Sequence, residues 1–269
     1  MDRTGTNTYT SGKGTRGDPK RIFRVFLANF SAREFRQNLR GLPALIKRRM
    51  TRLRTFHMVG VPMLIFCVLM VSITVLVLAA LDDWARRTLL QMPHEFKESF
   101  RLVTDLGKSD WMLVGSGGLF LLMLSIKVQG LGVHARILQY KLAVYGALIF
   151  LSVASSGLIA LIIKWSLGRA RPALYEVVGP YKLELFAWKI MYTSFPSGHA
   201  TSLGALSVAL GLLFPRYRVP LFLVGGSLAM TRVIISAHYP SDVFAGFMLG
   251  ALSSFVFWYW MVRLRFLKP

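Results

Sequence analysis

Six apolar stretches recur along this chain, at residues 56–81, 110–126, 142–163, 199–214, 219–235 and 243–262. A soluble fold has no reason to repeat runs of that length so often, whereas a helix crossing the ~30 Å hydrocarbon core of a bilayer needs about 20 apolar residues. The overall balance agrees, with 54% hydrophobic residues and a mean hydropathy of +0.50. Lipid offers no hydrogen-bond partners to a backbone, so spans of this kind are helices. The chain therefore reads as an all-α, six-transmembrane-helix bundle over residues 56–269. A polar tail at 1–19 and a basic amphipathic segment at 20–55 precede it.

The net charge of +21 raises nucleic acid as a partner, but the location of the charge argues against it. Fourteen of the 33 basic residues precede residue 55, beside three acids, Asp2, Asp18 and Glu34, and no zinc, helix-turn-helix or RNA-binding pattern accompanies them. Nucleic acid is not an expected partner. Counted loop by loop, 22 of the 33 basic residues fall on one side of the predicted spans. The positive-inside rule then places both termini in the cytoplasm and the loops at 82–109, 164–198 and 236–242 outside, in a cytoplasmic (inner) membrane. Trp258, Tyr259 and Trp260 suit an interfacial belt at the inner end of the last span. Cys67 is the single cysteine, so no intrachain disulfide forms. The first apolar run begins too late for a cleavable signal and is expected to stay as an anchor.

Residues 1–19 are rich in Gly, Thr, Ser and charge and are expected to be disordered. From Lys20 to Arg54 apolar residues such as Phe23, Phe26, Leu39, Leu42 and Ile46 alternate with Arg and Lys. One or two basic amphipathic helices on an anionic membrane surface are expected there, or else a solvated tail that only fixes topology.

Three ionisable clusters fall at span ends on the predicted outer side, where charge is costly and needs a reason. The first runs from Lys164 to Arg171-Pro172. If the helix continues, its two cations stand two turns apart on one face and can meet one anion; alone, they read as snorkelling anchors before ligands. The second is Phe195-Pro196-Ser197-Gly198-His199, a small turn opening a helix. Its free backbone N–H groups suit phosphate, Ser197 adds a hydroxyl, and His199 exchanges protons near neutral pH; alone, it is an ordinary helix start with a surface histidine. The third runs from Thr231-Arg232 to His238 and Asp242. Asp242 can orient the imidazole and leave its other nitrogen free to attack, or it can simply cap a helix.

Taken together the clusters resemble the signature of the type 2 phosphatidic acid phosphatase (PAP2) superfamily, K-x6-RP, PSGH and SR-x5-H-x3-D. Order and spacing match, with Thr231 where the family has Ser. The resemblance implies a helical bundle of the PAP2/haloperoxidase-like type acting as a lipid phosphate phosphatase. His238 is then the nucleophile, Asp242 its orienting carboxylate and His199 the acid for the leaving alkoxide, with Lys164, Arg171, Ser197, Gly198 and Arg232 binding the phosphoryl oxygens. No cofactor or metal is expected: outside the clusters His57, His94 and His134 stand alone. The substrate stays open among phosphatidylglycerol phosphate, phosphatidic acid, polyprenyl diphosphate and lipid A phosphates. Phosphotransfer to a lipid acceptor and a non-catalytic anion channel or transporter are the alternatives.

Two loops are expected near the site. Residues 173–195 are apolar enough to line the substrate's approach or to anchor in the interface, and 82–109 is expected to place a helix over the site. Gly246 and Gly250 form a GxxxG pair, which predicts close helix packing.

Overall fold

The computed structural model describes residues 31–51, 60–127 and 132–268; the expected tail at 1–19, residues 20–30 and 52–55 of the basic segment and residues 56–59 of the first apolar stretch lie outside them. Helices form at all six predicted span positions. Preceded by α1 (Ala32–Met50), they are α2 (Gly60–Leu90), α3 (Ser109–Ser125), α4 (Val133–Leu167), α5 (Gly198–Leu213), α6 (Arg218–Ile234) and α7 (Pro240–Arg263). Three are long and apolar enough to cross a membrane: Met63–Leu89, Val133–Leu167 and Pro240–Arg263. With 16 or 17 residues, α3, α5 and α6 reach only about 25 Å at 1.5 Å per residue.

Two helices outrun their apolar stretches. α2 continues past residue 81 through Asp82, Asp83, Arg86 and Arg87, and α4 begins at Val133, ahead of Arg136 and Lys141. Hydropathy stops at the first charges, but a helix carries on wherever those charges find partners or water. Asp83 and Arg87 pair at 2.9 Å across one turn, and Asp82 is fully buried among partners of its own.

α5 is the central helix, packed against α7, α6 and α4. Its buried residues are small: Ala200, Thr201, Ser202, Gly204, Ala205, Ser207, Ala209 and Gly211 join Leu203. Small side chains let backbones approach closely, which supplies packing where lipid removes the hydrophobic drive between helices. The glycines of α7 use this fully. A Cβ on Gly246 would stand 2.5 Å from the Ser197 carbonyl oxygen, and one on Gly250 2.0 Å from that of Thr201. On α5, a Cβ at Gly204 would meet the Phe247 carbonyl oxygen at 2.1 Å. Met112, Val153, Leu203, Ala229, Val233, Val243 and Phe247 fill the core around this seam. α2 sits at the edge against α7, with Leu64, Val71 and Leu76 exposed where a membrane would meet them.

α1 crosses the end of the bundle. Near its start the Ser31 N–H donates to the Ser125 carbonyl at 3.0 Å and Asn38 Nδ2 to that of Leu124 at 2.8 Å. Near its end Arg49 Nη1 donates to the Leu264 carbonyl at 3.1 Å and lies 4.1 Å over the Phe266 ring. These are carbonyls at the C-terminal ends of α3 and α7, which helix geometry leaves without partners.

Candidate active site

At the opposite end of the bundle the three clusters meet. α4 ends after Lys164 because Gly168 takes the left-handed conformation (φ +58°), its N–H bonding the Lys164 carbonyl at 3.2 Å. Only glycine fits, since a Cβ would lie 1.7 Å from the Glu184 carbonyl oxygen. The chain then turns, and Arg171, extended before Pro172, is fixed by its N–H to the Met191 carbonyl at 2.8 Å. Lys164 and Arg171 are thus not stacked on one continuing helix; the turn at Gly168 brings Arg171 back toward Lys164, which feels the charges of Arg171, Arg232 and Asp242. Arg171 Nη2 donates to Thr193 Oγ1 at 3.2 Å. Burial pulls its guanidinium below the usual arginine range, and Asp242 pushes back.

Pro196 follows a cis peptide bond, Ser197 precedes α5 without a side-chain capping bond, and Gly198 and His199 form its first turn. The Ser197 N–H donates to the Asp242 carbonyl at 3.0 Å, tying this turn to α7. A Cβ on Gly198 would be 3.7 Å from Lys164 Nζ, so the ammonium lies beside the helix start. Lys164, Gly198 and His199 line one cavity of about 340 Å³ with Lys108 and Asp110.

α6 closes with Arg232 in its last turn, and a sharp bend follows. Ser236 is at φ +57°, while Ala237 and His238 N–H groups return to the Arg232 carbonyl at 3.0 and 3.3 Å. This bend directs His238 inward, where its side chain is 3% exposed. Asp242 lies in the first turn of α7 and reaches back: Oδ2 accepts the Tyr239 N–H at 2.9 Å. Oδ2 also stands 3.7 Å from His238 Nδ1, an ion-pair separation too long for a hydrogen bond. Burial pulls the His238 imidazole down to about 4, against the opposing effect of Asp242. It is therefore neutral at physiological pH, with Nδ1 toward the carboxylate and Nε2 on the other side of the ring.

The neighbouring loops contribute as well. Within 82–109 the expected helix breaks into two short ones, His94–Ser99 and Arg101–Thr104. Thr104 Oγ1 accepts from Arg232 Nη1 at 3.4 Å, and a Cβ on Gly107 would touch His199 at 3.1 Å, so this segment does cover the site. Residues 173–195 return Thr193 and Ser194 to the site while leaving Leu185, Phe186 and Trp188 exposed; Trp188 stacks on Trp165 at 5.3 Å.

The sequence pattern of the PAP2 superfamily matches residues 145–266, which contain all three clusters. Over 169 residues the chain is 38% identical to a protein of Rhizobium etli named lipid A 1-phosphatase, covering 60% of this chain and 69% of that one. The chain belongs to the PAP2 superfamily. A protein of the same name from Rhizobium johnstonii is 40% identical over 166 residues, 59% of this chain and 65% of that one. Among solved structures, a PAP2-type phosphatidylglycerolphosphate phosphatase from Bacillus subtilis is similar at 20% identity and a TM-score of 0.47, covering 71% of this chain and 92% of that one. No group of three or more His, Cys, Asp or Glu residues among the described residues is placed to hold a metal.

Four residues bonded around Asp242 at this end of the bundle escaped the sequence reading: Asp82, Arg169, Ser194 and Ser241. Arg169 Nη1 bonds Asp242 Oδ1 at 2.5 Å and Ser241 Oγ at 2.7 Å, and Nη2 bonds Asp82 Oδ2 at 2.8 Å. Ser194 Oγ donates to Asp242 Oδ2 at 2.6 Å. Arg169 lies inside the variable stretch of K-x6-RP, and Asp82 reads as the first residue of a polar loop. The available signal was a carboxylate directly abutting an apolar span.

Proposed function

We propose that this PAP2 protein is an integral membrane phosphatase that hydrolyses a lipid phosphate monoester through a phosphohistidine, with the 1-phosphate of lipid A as its leading substrate. The observation that carries the reading is a set of buried polar atoms with no protein hydrogen-bond partner: Arg171 Nε, Ser197 Oγ, His199 Nε2 and Arg232 Nε. A buried donor left unpaired costs about 1–3 kcal/mol. Four of them on the three clusters that meet at this end of the bundle suit a tetrahedral oxyanion far better than an apolar ligand. Fixed positive groups of this kind stabilise charge on the equatorial oxygens of a transferring phosphoryl group.

In this mechanism His238 Nε2 forms a bond to phosphorus as the bond to the lipid oxygen breaks, and His199 gives that oxygen its proton. Asp242 faces Nδ1–H across 3.7 Å, its charge favouring that tautomer and offsetting the positive charge that grows on the ring. Water, deprotonated by His199, then attacks phosphorus, releasing inorganic phosphate and restoring the imidazole. The Gly198 N–H, at the positive end of α5, joins Ser197 in holding the oxygens. The lipid A assignment rests on the two rhizobial relatives. Their aligned regions span about two thirds of their lengths.

The site lies at one end of the bundle and α1 at the other. With the basic loops on the α1 side, the site faces the outer side of the inner membrane and both termini the cytoplasm. α1 then lies along the inner surface: Leu39, Leu45, Ile46 and Met50 are exposed beside Arg33, Arg36, Arg40, Lys47 and Arg48.

Phosphate release by purified protein, with EDTA present, from lipid A, phosphatidylglycerol phosphate, phosphatidic acid and undecaprenyl diphosphate tests the assignment. The fastest kcat/KM is expected on lipid A, with release from the 1-position. Preference for another headgroup would reassign the substrate; no release from any would refute the enzyme.

A further inference from the structure

We infer that Arg169 and Asp82 are positioning residues for the reaction, forming with Asp242 a buried carboxylate–guanidinium–carboxylate relay that holds the nucleophile's partner ionised and in place. The inference rests on the phosphohistidine reading above.

The geometry is specific. Arg169 is 2% exposed, and Asp82 and Asp242 are each fully buried. The guanidinium spans both carboxylates, 2.5 Å from Asp242 Oδ1 and 2.8 Å from Asp82 Oδ2. Its remaining donors meet the Pro180 carbonyl, Nη2 at 2.9 Å and Nε at 3.3 Å, while its face lies 4.4 Å from the Tyr239 ring centre. Ser241 closes the circuit: its N–H donates to Asp82 Oδ1 at 2.9 Å, and its hydroxyl accepts from Arg169 and donates to Asp82. Arg169 touches none of the phosphate-binding groups among these contacts. Lys164 and Arg171 on either side of it serve the phosphate, while Gly168 turns Arg169 the other way.

The division of labour on Asp242 follows. Oδ1 is taken by Arg169, and Oδ2 accepts Ser194 Oγ and the Tyr239 N–H and faces His238. Two buried carboxylates cannot both stay ionised without a cation between them. With Arg169 in place the trio carries one net negative charge, directed at the histidine that must become cationic when it takes the phosphoryl group. Without Arg169, Asp82 and Asp242 lose that bridge, and Asp242 gains a proton or swings away from the ring. Asp82 does a second task. It is the point at which α2, otherwise packed along the edge of the bundle, is pinned to the start of α7 by charge and by Ser241.

The test is kinetic, on the full-length protein with a lipid phosphate it hydrolyses. Arg169→Met is expected to lower kcat on the order of 100-fold, the loss typical of a misaligned reacting group. KM should change less than about threefold, because no phosphate contact is removed. Arg169→Lys, which can reach only one carboxylate at a time, should recover part of kcat. In an Asp242→Asn background Arg169→Met should cost less than about threefold more, since the residue it acts through is already neutral. Equal, multiplicative losses in both backgrounds, or a wild-type kcat in Arg169→Met, would overturn the inference. If Arg169→Met does not fold, Asp82→Asn decides: kcat about tenfold lower at unchanged KM supports the relay, and unchanged kcat overturns it. His238→Ala measured alongside separates the two levels. Turnover surviving there would sink the phosphohistidine reading itself, whereas a dead His238→Ala beside a fully active Arg169→Met would sink only the relay.

Discussion

Replacing Gly246 by alanine places a methyl group 2.5 Å from the Ser197 carbonyl oxygen and 3.0 Å from Thr201 Oγ1. Ordinary contact begins at 3.4 Å, so Ser197 or α7 must retreat by the difference, about 0.9 Å, and neither is the loose end of a flexible side chain. Overpacking of a well-filled interface costs about 1–3 kcal/mol. The displacement falls on the turn that presents Ser197, Gly198 and His199, and it separates that turn from His238 and Asp242 on the α7 side. A misplacement near 1 Å in a catalytic constellation costs up to roughly 100-fold in rate. Gly246→Ala is therefore expected to melt several degrees lower in detergent and to lose at least tenfold in kcat/KM. Gly226→Ala is the matched control: it is also a helical glycine, but nothing lies within 4 Å of its added Cβ, so the better helix propensity of alanine should leave melting unchanged or raise it. Equal melting temperature and activity for wild type and Gly246→Ala would refute the claim that the α5–α7 seam sets the site's spacing.

Further outcomes follow from the same geometry. His238→Gln and His199→Gln should each reduce lipid phosphate turnover by at least 1,000-fold, roughly the loss seen on removing a nucleophile or its proton-transfer partner, without lowering the melting temperature by more than a few degrees. The folded His238 imidazole protonates only near pH 4, whereas an exposed histidine in the unfolded chain protonates near 6.5. The unfolded state binds the extra proton between those values, so wild type should lose stability relative to His238→Gln as pH falls from 6.5 toward 4; parallel melting curves across that window would contradict the burial. For α1, a fluorophore at Ile46 should be quenched by nitroxide lipids in anionic vesicles, and replacing Arg33, Arg36 and Arg40 by Gln should weaken that quenching; no quenching would place the helix in water.

The sequence made the parts of this molecule legible where the physics is local. Long apolar runs gave the helix positions, because a bilayer forces backbone hydrogen bonds to close within the segment. The three ionisable clusters stood out because charge at a span end is expensive, and all eight residues named from them gather at one end of the bundle. Span ends were less legible: α2 runs to Leu90 because Asp82 is paired, which hydropathy cannot see. Arg169 and Asp82 were hidden for the same reason. Their bond joins residues 87 positions apart, and the turn that aims Arg169 depends on Gly168 meeting the backbone of Glu184, a contact no local pattern announces. The GxxxG pair on α7 signalled packing, yet nothing in its spacing said that its partner would be the turn carrying Ser197, Gly198 and His199.

Mass spectrometry of enzyme quenched rapidly during turnover of a lipid phosphate tests for the phosphohistidine itself. One phosphoryl group on the peptide containing His238, absent in His238→Gln and lost once the substrate is exhausted, is the expected result. A phosphoryl group on any other residue, or full turnover with His238 replaced, would contradict it.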